Sequence, residues 1–187
     1  GIVIFDGGNF TKIRFPERDT QAITSFFDDN GRLLVGTFYG GLLEFDGKTF
    51  REIKVENQTI KAINYLTKID ATLFIGTFNN GLWINDSDTW KHFTVAEGLP
   101  SNRVIGVVKS GENLLVATDF GLSVLENDKF RTIKTLPMIS SLETFDGKTY
   151  VSTENGEIYI FEKDLHEVKN LANVAKTRLI TFDNEFF

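Results

Sequence analysis

An internal repeat constrains this sequence more than any other feature. A glycine followed by apolar residues recurs along the whole chain, at Gly1, Gly41, Gly81, Gly121 and, more weakly, Gly156. The steps between these glycines are 40, 40, 40 and 35 residues. Upstream of the glycines, an apolar-small-Thr anchor recurs and ends at Thr37, Thr77, Thr118 and Thr153. An aromatic anchor keeps the same phase, at Phe10, Phe50, Trp90 and Phe130. Three anchors in one phase indicate one structural unit that is repeated.

Each repeat contains the pattern of four short strands, which we term A, B, C and D. In the repeat at residues 57–96, apolar alternation and turn residues predict strands at 60–66, 73–77, 81–84 and 90–95. The turns between strands C and D contain Asp-Gly or Asn-Asp pairs, which tolerate the positive φ of tight hairpins. Each repeat is therefore predicted to be an antiparallel four-stranded sheet.

Four antiparallel strands in about 40 residues are typical of a β-propeller blade. A four-stranded sheet has two apolar faces, and both must be buried against other layers. The sequence therefore predicts an all-β fold, a β-propeller segment with four complete four-stranded blades and two terminal half-blades. Small residues at the middle position of the apolar-small-Thr anchor are expected where neighbouring blades approach most closely: Gly36, Gly76, Ala117 and Ser152.

The repeat phase also predicts boundaries within a single propeller domain over residues 1–187. One half-blade covers 1–16, four blades cover about 20–56, 57–96, 101–135 and 137–169, and a second half-blade covers 174–187. The first interpretation is a piece of a longer propeller. The alternatives are a five-bladed ring in which the terminal halves complete one blade, and self-association of two chains through open edges, which unpaired strands favour.

Composition excludes several classes of function. The formal net charge is −6, which argues against nucleic acid as a partner because phosphate binding requires clustered Lys and Arg. The sequence contains no Cys, which excludes disulfides, zinc–thiolate sites and cysteine nucleophiles. No apolar run approaches the roughly 20 residues that span a bilayer, so no membrane contact is expected of this segment.

Several segments carry the resemblance to a known family. These are the stretches at residues 29–37 and 40–42, together with the Leu-Pro-Ser-Asn sequence at 99–102 that leads into a strand A. They resemble the two-component regulator propeller repeat, and the resemblance covers almost the whole chain. The sequence departs from the family where Trp often precedes the Val/Ile-Gly-Thr anchor, since the residues here are Leu34, Phe74, Leu115 and Tyr150.

The resemblance implies a sensor domain of bacterial hybrid two-component systems, which senses ligands, often saccharides, and does not catalyse a reaction. Such propellers are typically periplasmic or extracellular and precede a membrane span and a kinase or DNA-binding module. The implied partner is thus a linked signalling module.

The motifs that could carry catalysis or bind a cofactor are incomplete. The Gly-Lys-Thr sequences at 47–49 and 147–149 lack the glycine that a phosphate-binding loop requires five positions earlier, where Leu42 and Leu142 stand. The two histidines, His92 and His166, have no nucleophile motif beside them. The Asp-rich turns at 28–30 and 85–88 lack EF-hand spacing. We therefore predict no catalytic residue, no metal site and no cofactor.

The turns between strands B and C are the candidate recognition site. In a propeller, the B–C and D–A loops emerge on one face, around the mouth of the channel, where a concave site is common. Aromatic rings stack on sugars or apolar ligands, and amides and carboxylates bind hydroxyl groups. The predicted ligand-binding residues are Phe38, Tyr39, Phe78, Asn79, Asn80, Asp119, Phe120, Glu154 and Asn155. Alternatively, the three phenylalanines fill the tops of the blades.

The functional hypothesis is a non-enzymatic sensor or recognition propeller. It would bind a small ligand, such as a saccharide, or a partner at the B–C/D–A face and signal to a linked module. A protein–protein interaction scaffold is the alternative. An enzyme similar to the propeller lyases or hydrolases is the third hypothesis, and sparse histidines argue against it.

Overall fold

The computed structural model describes residues 1–15, 22–136, 138–170, 181–182 and 185–186. The chain forms two compact units, Gly1–Leu66 and Thr67–Phe187. Regular structure in the described residues consists of β-strands and a short 3₁₀ helix at Val95–Glu97. None of the helical structure in these residues has the length and apolar character needed to cross a membrane.

The first unit contains a two-stranded and a four-stranded antiparallel sheet. Their strands are β1 (Ile2–Phe5), β2 (Phe10–Ile13), β3 (Ile23–Asp29), β4 (Arg32–Thr37), β5 (Leu42–Phe45) and β6 (Phe50–Ile53). The four-stranded sheet has the order β3-β4-β5-β6, so each strand pairs with its neighbours in sequence. The boundary between the units falls within β7 (Ile63–Ile69), which belongs to the sheet β7-β8-β9-β10.

The second unit continues the same pattern. Its sheets have the orders β11-β12-β13-β14 and β15-β16-β17-β18, and a short hairpin joins β19 to β20. The remaining strands are β8 (Thr72–Thr77), β9 (Leu82–Asp86), β10 (Thr89–Phe93), β11 (Val104–Ser110), β12 (Asn113–Thr118), β13 (Gly121–Glu126), β14 (Lys129–Thr135), β15 (Ile139–Phe145), β16 (Lys148–Thr153), β17 (Glu157–Phe161), β18 (Leu165–Asn170), β19 (Thr181–Phe182) and β20 (Glu185–Phe186).

The all-β fold and the four-stranded antiparallel sheets predicted from the repeat are confirmed. Parts of the predicted segments fall outside the described residues. These are positions 16, 20, 21 and 137 at the ends of predicted blades, and 174–180, 183–184 and 187 in the predicted half-blade at 174–187.

Several strand ends of the repeat at 57–96 differ from the prediction, for example strand A ends at Ile69 and strand C at Asp86. Two of the differences have a local physical reason. Strand A of the repeat at 57–96 begins at Ile63, because Ala62 has a φ of 54° and its N–H donates to the Phe38 carbonyl, 2.8 Å away. Strand D ends at Phe93 and not at Val95, because the Thr94 hydroxyl accepts a hydrogen bond from Ala96 N–H and so starts the 3₁₀ helix. Local capping and positive φ therefore override the apolar alternation at these positions.

The hydrogen bonds of the threonine at the end of each B strand explain why this residue recurs in the sequence. Thr37, Thr77 and Thr118 are fully buried, and each hydroxyl donates to the carbonyl of the glycine that begins the next anchor, at 2.9, 2.9 and 3.2 Å. A buried hydroxyl requires such a partner. The bond closes the B–C turn and fixes its width. In the shorter last repeat, Thr153 donates instead to Glu157 Oε2 at 3.2 Å.

Small residues lie where one sheet meets the next. In the first unit, a Cβ added at Gly36 would meet Ser25 Oγ and would lie 2.5 Å from Ile63 Cγ2, on the first strand of the following sheet. In the second unit, a Cβ at Gly106 would lie 3.3 Å from Leu142 Cβ, again on the first strand of the next sheet. The first strand of one sheet therefore packs closely against strand B of the preceding sheet in the first unit, and against strand A of the preceding sheet in the second.

The last two four-stranded sheets share one buried core. Its fully or nearly fully buried residues come from both sheets and include Leu115, Ala117, Leu122, Val124, Leu136, Ile139, Leu142, Val151, Tyr159, Phe161 and Leu165. Burial of each such aliphatic side chain contributes about 1.5–3 kcal/mol. Contact between sheets is therefore the main source of stability in this part of the chain.

The substitution Gly36→Ala tests this packing. We expect it to lower the free energy of unfolding by about 1–3 kcal/mol, because the new methyl group has no space beside the fully buried Ile63. Gly8→Ala is the matched control, since the nearest heavy atom to its new Cβ is Asp6 Oδ1 at 3.8 Å. Urea denaturation of both variants measures the difference. Equal stability of the two variants would contradict the close approach.

Candidate functional site

The B–C turns present their first two residues differently. The first residue after each strand B is half-buried, and this group consists of Phe38, Phe78, Asp119 and Glu154. The second residue is exposed, and this group consists of Tyr39, Asn79, Phe120 and Asn155. Asn80, the third residue of its turn, is also exposed. Each turn thus begins with a half-buried residue that is followed by an exposed one.

Main-chain hydrogen bonds connect these turns to the loops that precede strand A. In the first unit, Phe38 N–H donates to the Ala22 carbonyl at 2.9 Å, and Ala62 N–H donates to the Phe38 carbonyl at 2.8 Å. Phe38 therefore links the segment that precedes strand A of its own sheet to the segment that precedes strand A of the next sheet. We call bonds of this kind the inter-loop hydrogen bonds.

In the second unit, inter-loop hydrogen bonds also link the loops of consecutive sheets. Asp119 N–H donates to the Arg103 carbonyl at 3.2 Å, and Met138 N–H donates to the Asp119 carbonyl at 2.8 Å. Glu154 N–H then donates to the Met138 carbonyl at 2.7 Å. Because all of these partners are main-chain atoms, the loops are held in place whatever their side chains are.

A charged residue of a D–A loop contacts one of the predicted phenylalanines. The Arg103 guanidinium lies 5.4 Å from the centre of the Phe78 ring, within the range of a cation–π interaction. Arg103 is exposed and Phe78 is half-buried. The ring therefore supports an exposed positive charge beside the turn that carries Asn79.

The Asp119 carboxylate is positioned by the same D–A loop. Ser101 Oγ donates to Asp119 Oδ1 at 2.5 Å and accepts a hydrogen bond from Arg103 N–H at 3.0 Å. Next to Asp119, the Phe120 side chain is 56% exposed. Met138, whose N–H is bonded to the Asp119 carbonyl, is 49% exposed and has a φ of 58°. Charged and apolar groups thus lie on adjacent, hydrogen-bonded loops.

The first unit carries an aromatic pair on its B–C turn. Phe38 and Tyr39 make an edge-to-face contact with ring centres 4.9 Å apart and an interplanar angle of 73°. The Tyr39 side chain is 60% exposed. The Phe38 ring therefore packs against Tyr39 while most of the tyrosine remains exposed.

His92 contacts an aromatic side chain and a main-chain carbonyl group. Its ring stacks on Trp83 with centres 4.0 Å apart and an interplanar angle of 13°. Its Nε2 lies 2.7 Å from the Asn80 carbonyl oxygen. The bond to the Asn80 carbonyl joins strand β10 to the turn that carries Asn79 and Asn80. His166 lies exposed on β18.

The D–A loop between β10 and β11 is internally organised. Thr94 and Glu97 form a capping box, in which Glu97 Oε2 accepts hydrogen bonds from the Thr94 N–H at 2.7 Å and the Thr94 hydroxyl at 2.8 Å. Asn102 Oδ1 accepts from Val95 N–H at 2.9 Å, and the Asn102 carbonyl accepts from Gly81 N–H at 2.9 Å. The loop that carries Ser101 and Arg103 is therefore a fixed support.

The Asp-rich turn at 28–30 serves the backbone and an ion pair. Asp28 Oδ1 accepts from Gly31 N–H at 2.9 Å, and Asp29 Oδ2 accepts from the Arg32 guanidinium at 2.9 Å. The Gly-Lys-Thr sequence at 47–49 lies in a hairpin turn, where Asp46 Oδ1 accepts from the main-chain N–H of Lys48 and Thr49, each at 2.8 Å. Within the described ranges, no three His, Asp or Glu residues form a group that could hold a metal ion.

Sequence reasoning missed the contribution of the D–A loops. Arg103, Ser101 and Met138 were not among the predicted contacts, although the D–A loops were predicted to share a face with the B–C turns. The available signals were the Leu-Pro-Ser-Asn sequence before Arg103 and the fact that Met138 is the one methionine of the chain.

No protein-family model and no curated protein matches the sequence. Solved structures are similar in fold. The extracellular domain of BT3049 from B. thetaiotaomicron, described as a hybrid two-component system, has a TM-score of 0.72 and 21% identity. The match covers 91% of this chain and 26% of that one. The extracellular domain of BT4673 from the same organism, described as a one-component system, has a TM-score of 0.74 and 22% identity over 92% of this chain and 26% of that one.

BamB from Moraxella catarrhalis is a more distant neighbour, with a TM-score of 0.62 and 12% identity over 88% of this chain and 53% of that one. At these identities the comparison shows a shared all-β, propeller-like fold. The chain spans about a quarter of the length of the two B. thetaiotaomicron domains, 26% in each case.

The capping box in the D–A loop predicts a pH-dependent contribution to stability. Hydrogen bonds from the Thr94 N–H and then the Thr94 hydroxyl hold the pKa of Glu97 below its ordinary value of 4.5. A carboxyl whose folded pKa is lowered stabilises the fold above the ordinary value, and this contribution disappears as pH falls through the folded pKa. Glu97→Gln should therefore destabilise the protein at neutral pH, and its difference from wild type should shrink at an acidic pH below the folded pKa of Glu97.

Urea denaturation at both pH values measures this effect. Glu56→Gln, at an exposed turn position, is the control and should have no such pH-dependent difference from wild type. A constant difference between Glu97→Gln and wild type at both pH values would show that the charge of Glu97 contributes nothing.

Proposed function

We propose that this chain is a non-enzymatic recognition module of a bacterial sensor. The proposal rests on one observation about the loops. Main-chain hydrogen bonds fix the loop backbone, and several loop side chains remain exposed, where a ligand can contact them. In the second unit these side chains include Arg103, Phe120 and Met138 beside the Asp119 carboxylate. Two solved neighbours are extracellular domains of two-component and one-component systems, which supports a sensor role.

The proposal includes a blade arrangement. The sheets β3–β6, β7–β10, β11–β14 and β15–β18 are taken as four consecutive blades, with boundaries at about 20–56, 57–96, 101–135 and 137–169. The β1–β2 hairpin corresponds in the repeat to strands C and D of a further blade. The β19–β20 hairpin corresponds to strands A and B.

The proposed ligand is a small molecule that carries hydroxyl groups beside an apolar face, such as a saccharide. Each unit offers its own exposed aromatic ring as a stacking surface, Tyr39 in the first unit and Phe120 in the second. Asn79 and Asn155 are exposed amides that both donate and accept hydrogen bonds. Aromatic rings combined with groups that both donate and accept hydrogen bonds suit a polyhydroxylated ring. They suit it better than a ligand that is recognised mainly through one formal charge.

Signal output is assigned to a module linked to this segment, in the periplasm or outside the cell. Ligand binding would favour one arrangement of the recognition segment, and the linked module would respond to that shift. A ligand can shift such an equilibrium only by the difference in its affinity for the two states.

The second candidate function is a protein–protein interaction scaffold. It is favoured by the exposed apolar side chains of Phe120 and Met138, which stand on hydrogen-bonded neighbouring loops. Aromatic residues and methionine are enriched in the cores of protein interfaces. A protein partner would use these two residues more than the amides of the B–C turns.

A thermal-shift screen of saccharides and metabolites tests the ligand proposal. We expect at least one compound class to raise the melting temperature of the wild-type chain, because a ligand at 100 times its Kd stabilises by about 2.7 kcal/mol. Phe120→Ala and Asn79→Ala should reduce that shift. Phe26→Ala is the matched control, because Phe26 is also an exposed phenylalanine, 73% against 56% for Phe120, and it lies in strand β3 and not in a loop.

The outcomes separate the two candidates. A shift that is equal in wild type, Phe120→Ala and Asn79→Ala would remove these turns from the site. Loss of a protein partner in Phe120→Ala and Met138→Ala, with Asn79→Ala unaffected, would favour the scaffold function.

A further inference from the structure

One position of the D–A loops is charged in one repeat and uncharged in the other three. It lies fifteen residues before the anchor threonine, just ahead of strand A, and its residues are Ala22, Ala62, Arg103 and Met138. In the first, third and fourth of these loops, the main-chain carbonyl of this residue accepts a hydrogen bond from the following B–C turn. The main chain therefore makes the structural contact, and a side chain as small as that of alanine is sufficient at this position.

The Arg103 side chain has no ionic partner among the residues that the structure describes. In contrast, the guanidinium groups of three other exposed arginines each pair with a carboxylate of their own sheet, and these are Arg32, Arg51 and Arg131. The Arg103 guanidinium instead lies 5.4 Å from the centre of the Phe78 ring. Contact with a ring leaves the N–H groups of the guanidinium available to an acceptor from solution.

Hydrogen bonds hold the main chain around Arg103 between two B–C turns. On one side, Gly81 N–H donates to the Asn102 carbonyl at 2.9 Å. On the other side, Asp119 N–H donates to the Arg103 carbonyl at 3.2 Å. All of these residues belong to the second unit. The exposed side chains that the two turns present beside this loop include Asn79 and Phe120.

We propose that Arg103 binds a carboxylate group of the ligand, so that the site selects a uronate over the neutral sugar of the same ring. The inference rests on the saccharide recognition proposed above and specifies the charge of the saccharide. A guanidinium forms two parallel hydrogen bonds with a carboxylate, a geometry that lysine cannot reproduce. Asn79 binds hydroxyl groups of the same sugar, and the Phe120 ring contacts its apolar face.

The Asp119 carboxylate limits the charge that the ligand can carry. Ser101 Oγ donates to Asp119 Oδ1 at 2.5 Å and accepts from Arg103 N–H at 3.0 Å, so this carboxylate is held close to the main chain of Arg103. Like charges repel one another, and the repulsion increases with the charge of the ligand. A sugar carboxylate carries one negative charge, whereas a phosphate group carries about 1.5 to 2 at pH 7. The site therefore favours the carboxylate.

Isothermal titration calorimetry of the full chain with matched sugars tests the carboxylate site. The probes are trisaccharides of galacturonate and of galactose, and the methyl glycosides of glucuronate and of glucose. Within each pair the sugars differ at C6 alone, as carboxylate against hydroxymethyl. We expect at least one uronate to bind at least about tenfold more tightly than its neutral counterpart, because hydrogen bonds between charged groups are roughly twice as strong as neutral ones. Added salt should reduce this preference.

Variants of the arginine assign the preference to one side chain. Arg103→Ala should abolish the preference for the uronate, and the fold should tolerate the change because two repeats have alanine at this position. Arg103→Lys should retain part of the preference, since lysine keeps the charge without the planar pair of donors. Arg131→Ala is the matched control. It removes an exposed arginine from strand β14, outside the loops, and should leave the preference unchanged.

The outcomes distinguish the carboxylate site from the saccharide function on which it rests. Equal affinity for the acidic and neutral sugars, or an unchanged preference in Arg103→Ala, would overturn the carboxylate site and leave saccharide binding intact. Failure of every saccharide to bind would contradict the proposed function and the site together.

Two further probes examine the chemistry of the anion. Tighter binding of galactose 6-phosphate than of galacturonate would overturn the preference for a single negative charge. Acetate that binds as tightly as the uronates would show that Arg103 captures small anions and that the sugar ring contributes nothing. We expect both probes to bind more weakly than the uronate.

Discussion

The need to cover both faces of each sheet with another sheet determines the rest of the structure. Where sheets meet, the approach is so close that Gly36 has no space for a Cβ beside Ile63, and Gly106 packs directly on Leu142. Such contacts fix the first strand of one sheet relative to the preceding sheet within each unit. The loops at the ends of these strands then lie close enough to exchange main-chain hydrogen bonds.

The repeat predicted the strands because each of its anchors has a structural cause. The glycine allows close approach, and the buried threonine closes the B–C turn. Strand ends were predicted less well, since Ala62 adopts a positive φ and Thr94 caps a 3₁₀ helix. Both features depend on hydrogen bonds between segments or within a loop, which apolar alternation does not report.

The candidate site was predictable only in part, for a related reason. B–C turns follow a recurring anchor, so Asp119 and Phe120 could be located by alignment of the repeats. D–A loops differ in length and sequence between repeats, and the positions of Arg103 and Met138 follow from the inter-loop hydrogen bonds. The solved neighbours have 12–22% identity, so they inform the fold, whereas the proposed ligand contacts depend on this chain alone.

The inter-loop hydrogen bonds use only peptide groups, and this has an evolutionary consequence. A mutation that replaces a loop side chain by any residue other than proline keeps the donor and acceptor of each of these bonds, since both belong to the backbone. Selection can therefore exchange the exposed chemistry of one turn without compensating changes elsewhere. Gene duplication of such repeats would generate sheets with diverged loop chemistry on an unchanged framework.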